Sequence, residues 1–397
     1  MSMLQEMEAA YRPQLPSPNA FDYYYEAGRA VESLRAFSGS RQPPSREERQ
    51  WVERHQRVWT LLREGMRRAY SLPEFWVNSE LYPYLGWWRN LARLINARIR
   101  YAIALQDGQD AVRDWQAGFK LARDIQGDNL LSLLVGFACE PLVHAPIVHQ
   151  MDFFSAHECR QMAQTLTDSE RQPDRLPSVI EGEMKSTLKL LDETFAPDPD
   201  RGVTNLLDLF EAAGFGEAEE GRSDPELEQR IDALNRLRQN PVEYARFTAQ
   251  VRQHALKGIQ RFSEAFALKH GRFQPVSNTE PRTLAEVVAL AFVPDAAVPG
   301  RRYWEIRAQR RLMLIHLLLR VHYLAEGRYP STLDALNLKE LAIDPFSGEP
   351  FIYRLQGERY VLYSVGATGR DLGGKRRQPS DPPSTPENLF LTRDGWR

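Results

Sequence analysis

The last quarter of the chain opens with Gly327-Arg328-Tyr329-Pro330-Ser331-Thr332-Leu333-Asp334-Ala335-Leu336. It runs into Asp344-Pro345-Phe346-Ser347-Gly348-Glu349-Pro350 and reaches Tyr360-Val361-Leu362-Tyr363-Ser364-Val365-Gly366. Each piece has a physical reading. Arg301 to Glu326 carries helical spacing, and Pro330 cannot continue that helix and disfavours helical backbone at Tyr329, so the helix stops at the Tyr-Pro corner. Thr332 to Leu336 predicts a short helical turn that lays Leu333 and Leu336 back onto it. Asp344-Pro345 starts a turn in which Gly348 supplies the positive φ. Phe351 to Leu355 and Tyr360 to Ser364 alternate with strand periodicity around Gln356-Gly357-Glu358, which predicts a β-hairpin, and Gly366 and Gly369 bracket a tight loop.

Working upstream, the helix from Arg301 to Glu326 would be roughly 39 Å long at ~1.5 Å per residue. Its first turns are basic (Arg301, Arg302, Arg307, Arg310, Arg311), which reads as a solvated face in preference to a contact for an anionic partner. From Leu312 to Leu319 it is apolar nearly all round and must be covered on most sides. Ahead of it lie further helical segments. Asn19 caps one that runs to about Phe37, and Ser45 with Glu48 forms a capping box opening another to about Tyr70, with Trp51, Val58, Trp59, Leu62 and Met66 as its core stripe. Leu81 to Gln106 and Gln109 to Gln126 form an αα-hairpin turned by Asp107-Gly108. In the second of these, Ala111, Trp115, Phe119 and Ala122 share a face that resembles the second helix of a tetratricopeptide unit; one instance does not make a repeat array. Asn129 to Phe154, Ser155 to Glu170, Leu176 to Phe195, Pro225 to Gln239 and Pro241 to Leu268 continue the helical series. Ala196 to Val203 and Gly214 to Asp224 read as loops.

The expected fold class is therefore mainly α: a multi-helix bundle or array with a small C-terminal α/β module made of the long helix and an antiparallel hairpin or small sheet. The divisions are an extended strap at 1–18, with three prolines between Arg12 and Pro18, a helical domain at 19–300, and the module at 301–397.

Here the chain resembles the globular part of the major pseudopilins of type II secretion systems. In that family a long helix ends in Gly-x-Tyr-Pro, an Asp-Pro-aromatic-x-Gly-x-Pro turn follows, and a sheet ends in Tyr-Ser-x-Gly. The match covers about Leu312 to Gly374. The resemblance implies a calcium site in the loop after Tyr-Ser-x-Gly. There Thr368 stands where the family has Asp, leaving Asp371 and Asp381 as metal-ligand candidates beside the carbonyl of Val365, too few charges for a tight site. The family's membrane-inserted assembly helix has no counterpart near Met1, so filament formation is not expected.

Composition excludes several functions. With 51 basic and 53 acidic side chains, the formal charge of −2 offers no global field for nucleic acid. A hydrophobic share of 42% excludes a wholly disordered chain. Met1 to Tyr11 has no apolar run to act as signal or anchor. Asn129 to Met151 is the nearest approach to a membrane span, but Glu140, Pro141 and Pro146 make it a kinked core helix, and no transmembrane segment is expected. Cys139 and Cys159 are expected to be unpaired buried thiols.

No phosphate-binding glycine loop, dinucleotide fingerprint or nucleophile elbow occurs. Cys139, His144, His149, His157 and Cys159 crowd together, but spacings of five spread Cys139, His144 and His149 over three helix faces, which argues against zinc. Glu140, His144 and His149 are the remaining catalytic candidates, for an enzyme with a groove site between helices. The leading expectation is a non-enzymatic interaction or scaffold protein with a protein partner, cytoplasmic or the soluble part of an envelope protein, in a cell-envelope or secretion-related process.

Overall fold

The computed structural model describes residues 10–31, 43–77, 82–212, 225–269, 272–273, 283–293, 297–378, 380, 382 and 387–391. Among these the chain is mainly helical, with a two-stranded antiparallel sheet near the C-terminus. It divides into two compact units, one comprising residues 1–179, 268–274 and 302–397 and the other 180–267 and 275–301.

The first unit begins with α1 (Ala20–Arg29), whose N-cap Asn19 accepts from Phe21 N. Residues 32–37 of the expected helix lie outside the described residues. Phe21 and Tyr25 are fully buried among Trp76, Tyr84, Trp87 and Trp88 in a cluster of edge-on and tilted ring pairs, and Tyr24, also fully buried, stacks on Tyr70. Ser45 and Glu48 form the expected capping box at α2 (Arg46–Arg54). The single helix expected to reach Tyr70 is broken at His55, after which α3 (Gln56–Met66) begins. Side chains take the carbonyls that a continuous helix would use: His55 Nδ1 contacts Trp51 O at 2.9 Å, Trp59 Nε1 donates to Val52 O at 3.0 Å and Gln56 Nε2 donates to Glu53 O at 3.0 Å. Val58, Trp59 and Leu62 enter the core as expected, but Val52 and Leu61 join them in place of Trp51 and Met66, which are only partly buried.

The αα-hairpin is α4 (Tyr84–Ala104) and α5 (Gly108–Asp124), and Ala111, Trp115, Phe119 and Ala122 are all buried. Gly118 lets the hairpin close, because a Cβ there would lie 2.7 Å from Ile95 and 2.9 Å from Val143. The apolar α6 (Leu130–His149) packs on both helices and carries Pro141 and Pro146 internally. Pro146 has no N–H for the carbonyl of Leu142; Asn96 on α4, fully buried, donates its Nδ2 to that oxygen at 2.8 Å instead. Asn96 Oδ1 meanwhile accepts from Arg100, whose guanidinium pairs with Glu48 at 2.6 Å. Replacing Asn96 by leucine orphans the Leu142 carbonyl and part of Arg100, and chemical denaturation should show a loss of about 2 kcal/mol. A change within a few tenths would reject this account of the kinked helix.

Among the described residues, α6 is the one helix long and apolar enough to cross a membrane, and 61% of its most apolar window is buried inside the protein. α7 (Ala156–Arg171) follows, capped by a second box at Ser155 and Glu158. Cys139 and Cys159 are both buried and unpaired.

The second unit has its own core, in which Tyr244, Phe247, Val251 and Ala255 from the helix Pro241–Ala265 meet Leu191, Leu206, Leu234, Val288 and Phe292. The segment expected as a loop at Ala196 to Val203 corrects to the start of a helix, Pro199–Ala212. Pro199 opens it because an N-terminal proline sacrifices no helical hydrogen bond, and Asp198 Oδ2 accepts from Arg201 N at 3.3 Å. Gly214 to Asp224 falls outside the described residues.

The long helix, α8 (Ala297–Glu326), starts four residues earlier than expected. From Arg302 onward it belongs to the first unit. After the Tyr-Pro corner, a 3-10 turn at Leu333–Leu336 and another at Lys339–Ala342 lead to β1 (Ile352–Gln356) and β2 (Arg359–Tyr363), paired antiparallel with Leu355 opposite Tyr360. The hairpin meets α8 through His316, whose Nδ1 lies 2.8 Å from Tyr360 Oη. Asp344 explains why the turn needs that residue. Fully buried, its carboxylate accepts from Phe346 N, Ser364 Oγ and Val365 N, stapling the Asp-Pro turn to the end of β2.

Candidate functional site

The chemistry-bearing residues of the first unit converge on one buried network. On α6, helical spacing of four places Glu140 and His144 together; Glu140 is 1% exposed and His144 4%. Arg310 of α8 crosses to Glu140 with Nε to Oε1 and Nη2 to Oε2, both at 2.9 Å, the bidentate geometry that suits a planar guanidinium. Gln126 Nε2 donates to Oε2 at 3.1 Å. Trp115 Nε1 donates to His144 Nδ1 at 3.0 Å. An indole N–H can only donate, so Nδ1 accepts and the ring proton sits on Nε2, 3.4 Å from Glu140 Oε1. Every lone-pair direction of Glu140 and both nitrogens of His144 are thus committed within the protein. His149 closes α6, five residues on and rotated roughly 140° from His144 at ~100° per residue, so helical geometry does not add it to the pair.

The same Arg310 gives Nη1 to Glu170 Oε1 at 2.7 Å, and Glu170 Oε2 accepts from Arg307 Nη2 at 3.2 Å and Arg311 Nε at 3.1 Å. Arg311 also donates to the carbonyl of Ile343 at 2.8 Å, tying the C-terminal turn to the network. The basic stripe of the long helix, expected on a solvated face, instead turns inward at Arg307, Arg310 and Arg311, with side chains 21%, 2% and 14% exposed. Acids at positions 140, 170 and 174 supply the counter-charges that water would otherwise provide. Burial alone would raise Glu140 and Glu170, but Arg310 and its neighbours outweigh it; Glu140 is held far below the usual carboxylate range and Glu170 is brought down to about 2.

Beside this network a cleft opens, lined by Arg123, Gln126, Ser169, Asp174, Tyr303 and Arg307 among others. Glu140 and His144 are not among its lining residues. Arg123, Gln126 and Glu170 were not singled out by sequence, and the arginines of α8 were read there as a solvated stripe; the signal available was an apolar helix requiring burial that nevertheless carried arginines.

The metal-ligand candidates sit in the tail. Asp371 is engaged by Arg354 Nη2 at 2.5 Å, Tyr363 Oη at 2.6 Å and Gly373 N at 2.8 Å. Asp381 lies outside the described residues. The carbonyl of Val365 accepts from Thr368 Oγ1 at 3.0 Å and Asn388 Nδ2 at 3.2 Å, and Asn388 Nδ2 also donates to Arg370 O at 3.0 Å. On its other side, Asn388 Oδ1 accepts from Leu372 N and Gly374 N, both at 3.1 Å. A buried amide group therefore stands among the carbonyls that a cation would need.

No protein family, curated protein or solved structure matches the chain.

Proposed function

We propose that this is a non-enzymatic interaction or scaffold protein with a pseudopilin-like C-terminal module, acting with a protein partner in a cell-envelope or secretion-related process. The observation that carries this reading is that Glu140, His144 and the two cysteines are spent on holding the fold. Glu140 is saturated by Arg310, Gln126 and His144. Burial pushes the Cys139 and Cys159 thiols up to about 12, which disfavours a thiolate nucleophile at neutral pH. Burial also brings His316 down to about 3, so it stays neutral. The three ordered tail motifs, with Asp344 joining two of them, support the pseudopilin-like part of the reading.

The experiment has two arms. Crosslinking in the native host's envelope fraction, followed by size exclusion, should recover a stoichiometric protein complex. Purified protein should turn over no ester, phosphoester, glycoside or peptide substrate. Turnover that Glu140→Gln or His144→Asn abolishes, with circular dichroism unchanged, would establish the enzyme reading instead.

The tail is proposed to fold without calcium. Its donor set does not fit the ion: the Asp371 carboxylate has three protein partners, and the Val365 and Arg370 carbonyls already face Asn388. Calcium requires six to eight free oxygens.

A further inference from the structure

We propose that the cleft bounded by Arg123, Ser169 and Arg307 binds the carboxylate of a small organic acid. Three donor atoms on residues that line it are buried without hydrogen-bond partners among the described residues: Arg123 Nε, Arg307 Nε and Ser169 Oγ. Ser169 is only 8% exposed, so its hydroxyl has no routine access to bulk water. A buried donor left unmade is costly, and three on residues that line one cleft mark a place where an acceptor belongs.

Charge accounting points the same way. Four guanidinium groups (Arg123, Arg307, Arg310 and Arg311) meet three carboxylates (Glu140, Glu170 and Asp174). Arg307, Arg310 and Arg311 are each paired. Arg123, on the last turn of α5, has no carboxylate at ion-pair distance among the described residues; its bond is from Nη1 to the neutral Gln126 Oε1 at 2.8 Å. Burial first, and the neighbouring Arg310 charge next, bring its guanidinium down to about 10, the direction expected of a cation without its counter-charge.

Arg123 is therefore the one guanidinium of the four whose positive charge no carboxylate meets at ion-pair distance among the described residues. A monoanion neutralises it, and the planar two-oxygen carboxylate matches guanidinium geometry. A phosphate dianion would place excess negative charge against Glu170 and Asp174, which line the same cleft. The occupant is therefore a carboxylate, and the wall composition selects against doubly charged oxyanions.

The test is thermal unfolding of the full-length protein at constant ionic strength, with sodium chloride exchanged for sodium acetate, formate or phosphate. An acetylated aspartate amide serves as the probe for a carboxylate carried on a peptide. Acetate and formate should raise the midpoint saturably by a few degrees, with phosphate near pH 8 giving no more than chloride. Response to acetate with none to the aspartate amide assigns a free acid as the source; response to both assigns a peptide carboxylate as an equally fitting one. Arg123→Met should abolish the shift, and without added anion it should unfold at or above the wild-type midpoint, because it removes an uncompensated buried charge. A purely structural Arg123 would make that variant less stable. Ser169→Ala, which changes little else, should weaken apparent acetate affinity several-fold. No acetate shift in the wild type, or an equal shift in both variants, overturns the proposal. Neither result bears on the enzyme and scaffold alternatives, which the turnover assay decides separately.

Discussion

Replacing Arg310 by methionine is expected to cost about 4 kcal/mol or more of unfolding free energy at pH 7, because removing one partner of a buried ion pair leaves an uncompensated charge. Here the loss falls on two carboxylates at once. Glu170 keeps Arg307 and Arg311, but Glu140 is left with only Gln126 and His144. Burial then drives Glu140 to take up a proton, and the variant pays with a neutral acid where a bidentate pair stood. The pH dependence follows from the direction of the shifts. Glu170 at about 2, and Glu140 lower still, both lie below the unfolded carboxylate value of about 4.3. Their contribution is complete above that value and is lost as the pH falls through the folded-state pKa values. Wild type and variant should consequently begin to converge as the pH falls below about 4.3 and keep converging down to about pH 2, as the wild type loses what the variant already lacks. Urea unfolding of both proteins by near-UV circular dichroism across this range measures the gap. The double variant Glu140→Gln with Arg310→Met removes the stranded acid and should regain at least half of the deficit. A deficit under about 1 kcal/mol at neutral pH would mean that the network contributes no more than surface pairs do.

What could be read from the chain, and what could not, divides along sequence separation. The Ser45 box, the αα-hairpin, the Tyr-Pro corner and the β-hairpin are local: each is decided by residues within a turn or two, and the structure contains each. The break at His55 was hidden because side chains took carbonyls that the apolar spacing assigned to a continuous helix. Pro199 reads as a breaker and as a helix opener alike, and only the following residues' packing chooses between them. The buried network was the least legible part. Helical spacing could place Glu140 beside His144, but their partner Arg310 lies 170 residues away. Sequence alone makes an arginine-rich helical stretch a solvated face, since that is the cheap solution for five cations. Only tertiary packing, which supplies Glu140, Glu170 and Asp174, makes the inward solution available. Asn388 was invisible for the same reason. It reaches the loop after β2 from the far side of a connection, and no local pattern separates it from any other polar residue.

Truncating Asn388 to alanine is expected to cost about 3 kcal/mol, since four backbone groups lose a partner and each buried one left unsatisfied costs about 1–3 kcal/mol before water or Thr368 compensates. The single proton of the Thr368 hydroxyl can still serve Val365 O or Arg370 O, but not both, and the amides of Leu372 and Gly374 lose Asn388 outright. Amide exchange should therefore accelerate at residues 372 and 374 well before it does in α5 or α6. The position of Asn388 is fixed independently of its side chain, by paired backbone bonds between Ser364 and Leu389 at 2.9 Å and by its own N–H to Lys375 O at 2.8 Å. An isosteric Asn388→Asp change should consequently keep the geometry while replacing the donating NH2 by an oxygen facing two carbonyls. That variant should be markedly less stable in chelator, and millimolar calcium should restore part of the loss, because a cation can then sit where the amide hydrogens stood. Wild-type unfolding curves in calcium and in chelator should superimpose. A chelator-sensitive rise of several degrees in the wild type, abolished by Asp371→Ala, would show instead that the loop opens its carboxylate to the metal and that Asn388 yields its place.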